Sequence, residues 1–146
     1  MMRKHQGFLL TILFSLVLIC ACNVSPQPIK IGLDGCTYCK MIISDNRFGG
    51  EIVTQKGKMY KFDDIHCLQS YKKSPALKNE IIKMIYFVNF VGSHELIESS
   101  KAHLYKSDEF HSPMSGNIVA FEDVPSLNKI ALQFKGNGVN WAELEK

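Results

Sequence analysis

Phe62-Asp63-Asp64-Ile65-His66-Cys67-Leu68 aligns without a gap on Phe121-Glu122-Asp123-Val124-Pro125-Ser126-Leu127, fifty-nine residues further along the chain. Each copy passes from an apolar strand end, through an acidic pair, into a segment with apolar residues at helical spacing. An aspartate at that junction can cap a helix, because its carboxylate accepts one of the amides that the first turn leaves unpaired. Two such copies, each preceded by strand-like residues, predict a duplicated α+β unit: two small antiparallel sheets, each packed by one helix. The halves run over about 29–98 and 99–146 of a single 29–146 domain. The alignment also sets Cys67 opposite Ser126. A position filled by either residue asks for a small side chain, which assigns Cys67 to packing.

The flanking sequence supplies the strands. Gly50 to Gln55 and Lys58 to Phe62 surround Lys56-Gly57, a hairpin signal. Ile81 to Val91 is dense in β-branched and aromatic residues and predicts a buried strand. Ala102 to Tyr105 and Asn117 to Phe121 are two more, bracketing a loop from Ser107 to Gly116. After the second acidic pair, Leu127, Ile130, Ala131 and Phe134 fall on one helical face, with Pro125 in the first turn and Gly136 as a stop. Nearer the start, Ile29-Lys30-Ile31 alternates as a short strand, and Lys40 to Ile43 has the composition of another.

The chain begins with a basic stub, Met1 to His5, and an apolar run from Phe8 to Ile19. Twelve helical residues rise about 18 Å, short of a bilayer span, and the pattern is that of a signal peptide over residues 1–21. Ile19-Cys20-Ala21-Cys22 looks like a bacterial lipobox with Cys22 as the lipidated residue, and residues 22–28 then form a tether. The expected location is the cell envelope, anchored to a membrane by lipid and facing the periplasm. The net charge of +3 includes Arg3 and Lys4, and the remaining charges are interspersed. That pattern gives no nucleic-acid footprint.

Beyond the leader stand three cysteines: Cys36, Cys39 and Cys67. An odd number in an exported chain is no complete disulfide framework. Cys36-Thr37-Tyr38-Cys39-Lys40-Met41 places two thiols and a thioether within six residues. In an extended segment Cys39 and Met41 project to the same face, where thiolate and thioether together select Cu(I). Met114, between Pro113 and Ser115-Gly116, is a second thioether in a turn. His111 is a supplementary candidate ligand.

These residues carry a family resemblance. The Cys-x-x-Cys-x-Met stretch, Gly50-Glu51-Ile52, Phe62 to Leu68, and Ser112-Pro113-Met114-Ser115-Gly116-Asn117-Ile118-Val119-Ala120-Phe121 together resemble the NosL family of lipid-anchored copper proteins. The resemblance spans nearly all of the chain after the leader. It implies a fold of two ββαβ-like halves and a non-enzymatic Cu(I) metallochaperone, with nitrous oxide reductase and its copper-sulfide cluster as the acceptor. The ligands it implies are Cys39, Met41 and Met114, with Cys36 at a position that not all members share, in a monomer or weak dimer. Two other chemistries stay open from the residues alone. One is a structural zinc site from Cys36, Cys39, Cys67 and His66. The other is a redox-active Cys-x-x-Cys, which needs its first cysteine at a helix N-terminus.

Overall fold

Thr54 and Lys58 close the first hairpin, Lys58 N–H donating to the Thr54 hydroxyl across a turn in which Gly57 takes φ +80°. The computed structural model describes residues 25–145, and in it this turn joins β1 (Gly50–Thr54) to β2 (Met59–Phe62). Asp64 then caps α1 (Ile65–Lys73), its carboxylate accepting the His66 N–H at 2.8 Å. A short 3-10 turn at Pro75–Leu77 leads to β3 (Ile82–Val88), and β4 (Leu96–Glu98) completes the first sheet in the order β2-β1-β3-β4, all neighbours antiparallel.

The second unit repeats the plan. β5 (His103–Lys106) pairs with β6 (Ile118–Phe121), Asp123 caps α2 (Val124–Ala131), and β7 (Asn137–Val139) returns to the other edge of β5. The duplicated α+β unit expected from the seven-residue repeat is therefore the architecture. The second half is ββαβ, and the first carries one additional strand. A last short helix, α3 (Trp141–Leu144), sets Trp141 edge-on against Phe87 with ring centres 4.8 Å apart.

The sheets meet where Asn89, just past β3, bridges to Ala120 of β6. A core of Ile52, Phe62, Ile65, Leu68, Phe87, Leu104, Ile118 and Ala120 runs through both. A second core, Phe48, Tyr105, Phe110, Val119 and Phe121, lies beneath α2, and the four residues predicted for its buried face, Leu127, Ile130, Ala131 and Phe134, all pack against it. Burying each such side chain stabilises the fold by about 1.5–3 kcal/mol when complete, and these four are only partly covered.

Two expected strands are absent. The backbone over Ile29–Ile31 turns instead, because Asp34 accepts the Lys30 N–H at 2.7 Å, Asp34 N–H returns to Lys30 O, and Gly32 adopts φ +76°. Lys40–Ile43 is not a strand either, since Lys40 lies in the left-handed region at φ +68° and only Ile42 bridges, to Gly35. The helix expected to run to Gly136 ends at Ala131. The leader and Cys22 lie outside the described residues. Among those described, no helix is long and apolar enough to cross a membrane. The end of the expected tether is held against the sheet: Gln27 N–H donates to Glu51 Oε1, and Lys61 Nζ donates to Pro28 O.

Candidate metal centre

Cys36 and Cys39 sit in a closed backbone turn. Cys36 N–H donates to Met41 O, Lys40 N–H to Cys36 O, and Ile43 N–H to Asp34 O. The left-handed Lys40 lets the chain fold back so tightly. Two contacts fix the turn to β2: Thr37 N–H donates to Lys61 O, and Lys61 Nζ meets Asp34 Oδ2 at 2.7 Å. The result buries the Cys36 side chain, leaves Cys39 half-buried, and leaves Met41 48% exposed. The period-two argument that put Cys39 and Met41 on one face therefore does not describe this backbone, whose reversal at Lys40 separates the two environments.

What the turn brings Cys39 towards is the junction of β2 and α1. The sulfurs of Cys36, Cys39 and Cys67 and a carboxylate oxygen of Asp63 all lie within 4.8 Å of one another. Asp63 and Cys67 are buried, and all three cysteines are free. Cys39 donates its S–H to Asp63 Oδ2 at 3.3 Å, while the other oxygen, Oδ1, is buried without a hydrogen-bond partner.

Burial is the main force on Cys39 and Cys67. It pushes Cys39 up to about 11, helped by Cys36 and Asp63 and opposed by the Met41 backbone amide. It pushes Cys67 up as well, with Asp63 and Cys36 acting in the same direction. Both groups are therefore held as neutral thiols at pH 7. A disulfide oxidoreductase activates its first cysteine at a helix N-terminus, whereas this Cys-x-x-Cys leads into a turn rather than a helix.

The Met114 loop reaches the same region through Asp64. Its Oδ2 accepts from the Ser112 hydroxyl at 2.6 Å, from Met114 N–H at 2.9 Å and from Gly116 N–H at 3.3 Å, while Oδ1 caps α1. One buried carboxylate thus ties the Pro-Met loop to the helix that carries Cys67. The approach is close: a Cβ on Gly116 would lie 2.4 Å from Asp64 Oδ1. His111, Ser115 and Asn117 all adopt positive φ, a cost of about 1 kcal/mol or more each that the Asp64 and Asn117 hydrogen bonds overcome. Met114 packs, partly buried, against the core cluster that contains Cys36 and Cys67.

Of the residues read from sequence as ligands, the structure brings Cys36 and Cys39 together and lays Met114 on the same core. Met41 and His111 face solvent. Sequence reasoning missed Asp63, because an acid after a strand reads as a helix cap, and it gave Cys67 to packing. Cys67 is indeed fully buried, but its sulfur joins the cluster. The zinc-type spacing had named Cys67, yet with His66. His66 is exposed, since adjacent helical residues diverge by about 100°. A groove of about 380 Å³ lined by Pro28, Ile29, Phe48, His94 and Leu96 shares no residue with this centre.

Fold and site together define a two-sheet α+β domain with a buried centre of three thiols and one carboxylate. The same fold is seen in a solved structure, that of the copper chaperone NosL from Shewanella denitrificans: the two share 19% sequence identity with a TM-score of 0.67 over 82% of this chain and 94% of that one. The resemblance drawn from the motifs thus has a structural counterpart. No family model matches the chain, and no curated protein is detectably similar to it.

Proposed function

We propose that this protein is a copper metallochaperone of the NosL type, anchored to a membrane by lipid on Cys22 and facing the periplasm. The observation that carries the reading is three free thiols whose sulfurs lie within 4.8 Å of one another, in the core against which Met114 packs. Soft donors of this kind select a soft d10 ion, and thioethers favour Cu(I) over divalent zinc. Through the resemblance, Cys39, Met41 and Met114 are the primary ligands in this reading, the exposed Met41 folding back to join Cys39 on the ion, with Cys36 in support and His111 as a supplement.

The graded exposure suits transfer. Met41 stands in solvent, Cys39 is half-buried, and Met114 is partly covered, so part of the proposed ligand set lies within an acceptor's reach. The thioethers bind without losing a proton and form no disulfide, which suits an oxidising compartment. Nitrous oxide reductase is the proposed acceptor, through the resemblance. The protein acts as a monomer or weak dimer, with the ion as cargo and no reaction of its own.

The test is anaerobic Cu(I) competition against a chromophoric chelator. The wild type should bind one ion tightly, and Cys39→Ser, Met41→Ala and Met114→Ala should each weaken it at least about tenfold, or 1.4 kcal/mol. A wild type that cannot compete with the chelator overturns the proposal.

A further inference from the structure

The carboxylate of Asp63 is buried with little to hold it. It is 2% exposed, one oxygen has only a thiol for partner, and the other has none. A buried unpaired acceptor costs about 1–3 kcal/mol, more when charged, and a native chain keeps one only where something else compensates. The matching residue of the second half, Glu122, is exposed. Nothing in the repeated fold therefore requires an acid to be buried here.

Cys67 poses the same question. Its counterpart Ser126 is half-exposed and bonds its own cap, its hydroxyl donating to Asp123 Oδ2 at 3.0 Å. The fold accepts a small residue without sulfur at this place. In the first half the residue is a thiol, wholly buried, with Cys36 and Cys39 around it. A third thiol beside an unpaired carboxylate goes beyond packing.

We infer that Cys36 and Cys67 form, with Cys39, an interior seat for Cu(I), set deeper than the thioether ligands and sharing Cys39 with them. This rests on the copper-binding reading above and extends it from one ligand set to two positions along a path. Cys36 and Cys67 are closed to solvent at 1% and 0% exposure, whereas Cys39 lies at the rim. An ion on the interior thiols is shielded from competing ligands; an ion on Cys39 and the thioethers is open to them. Each thiol that joins the ion does so as thiolate, its proton passing to solvent. When the ion departs, Cys39 takes back a proton from solvent and regains its hydrogen bond to Asp63 Oδ2. The two positions divide retention from delivery, and Cys39 is the hinge between them.

The test loads wild-type protein and the Cys67→Ala, Cys67→Ser and Cys36→Ser variants with Cu(I) under anaerobic conditions. It follows release to excess chelator by stopped flow and Cu(I)–thiolate luminescence, which needs a thiolate-bound ion shielded from water. Far-UV circular dichroism and thermal melting identify any variant that has lost its fold. The expected result is an emissive wild-type complex. The folded variants should lose the emission and release Cu(I) at least about tenfold faster. Wild-type protein that binds Cu(I) tightly yet does not emit overturns the interior seat while leaving the chaperone reading in place, and this outcome needs no variant. Folded variants that release copper at the wild-type rate overturn it equally. Zinc retained through a Cu(I) challenge, with three sulfurs and one oxygen in its X-ray absorption shell, overturns the copper assignment of the seat. Failure of the wild type to bind Cu(I) at all is the separate failure of the chaperone reading.

Discussion

Phe62 and Phe121 are both fully buried at the ends of matching strands, and from the next residue onward the two copies part. Asp63 is buried where Glu122 is exposed, and Cys67 is buried where Ser126 is half-exposed. Asp64 and Asp123 share the cap, yet Asp123 accepts only from Ser126, whereas Asp64 accepts from its own helix and from three groups of a distant loop. α1 buries Ile65, Cys67 and Leu68 completely, while α2 buries no residue completely. The same strand–cap–helix plan has served structure alone in one half and has been loaded with buried polar chemistry in the other. A second contrast lies one strand back. Glu51 pairs across the first hairpin with Lys61, and the matching pair in the second half is Leu104 with Ala120.

That asymmetry makes one substitution informative at two places. Asp64→Asn puts an amide N–H against donors on one side or the other, whichever way it turns. It should cost about 3 kcal/mol in urea denaturation, near the loss expected when a buried hydrogen-bonded charge is removed. Asp123→Asn replaces one good exposed cap by another and should change stability by less than about 0.5 kcal/mol. Equal losses at both sites would erase the distinction. In the Asp64→Asn background, Met114→Ala should no longer alter Cu(I) affinity, because the loop has already lost its anchor.

A smaller effect is expected from glycine. Gly116→Ala drives a methyl into Asp64 and should cost about 2 kcal/mol, with weaker Cu(I) binding in the same chelator competition. Gly138→Ala in the second sheet meets only an ordinary contact at 3.9 Å and should be close to neutral.

The smallest effect concerns Glu51, whose carboxyl burial pushes above its ordinary value, the Gln27 amide and Lys61 opposing. An acid raised in the folded state contributes stability below its ordinary value near 4.5, and loses that contribution as pH rises through the folded value. Glu51→Gln, which still offers Gln27 an oxygen, should therefore melt about 3 °C higher than wild type at pH 8. The gap should narrow as pH falls towards 4.5. A gap that widens on acidification would mean that the buried charge is held by its partners rather than strained.

The sequence was most legible where physics is local or repeated. The first hairpin announced itself in Lys56-Gly57, and both caps and the apolar face of α2 lay where spacing put them. β4, β7 and α3 escaped notice because three or four residues carry no period. The Ile29–Ile31 and Lys40–Ile43 segments misled for a related reason: β-branched composition argued for strands, while Asp34 and a left-handed Lys40 determined the backbone through contacts that composition does not encode. The centre was half legible. Cys36 and Cys39 were marked by clustering, but Asp63 becomes a neighbour of Cys39 only after β2 and the cysteine turn have docked. An acid that faces inward at the foot of a helix looks, in one dimension, like an acid that caps it.

The Asp64 hydrogen bonds also set an order of assembly. Its loop partners Ser112, Met114 and Gly116 follow it by 48, 50 and 52 residues. Closing a segment of that length costs entropy that the strand pairings within it offset first, so the junction forms after the elements it joins. A chain folding from its N-terminus can gather its three thiols while the methionine arm is still unplaced. Met114 comes into place only when β6 has settled beside α1, so under the proposed ligand set an unfinished chain would offer copper only part of its donors.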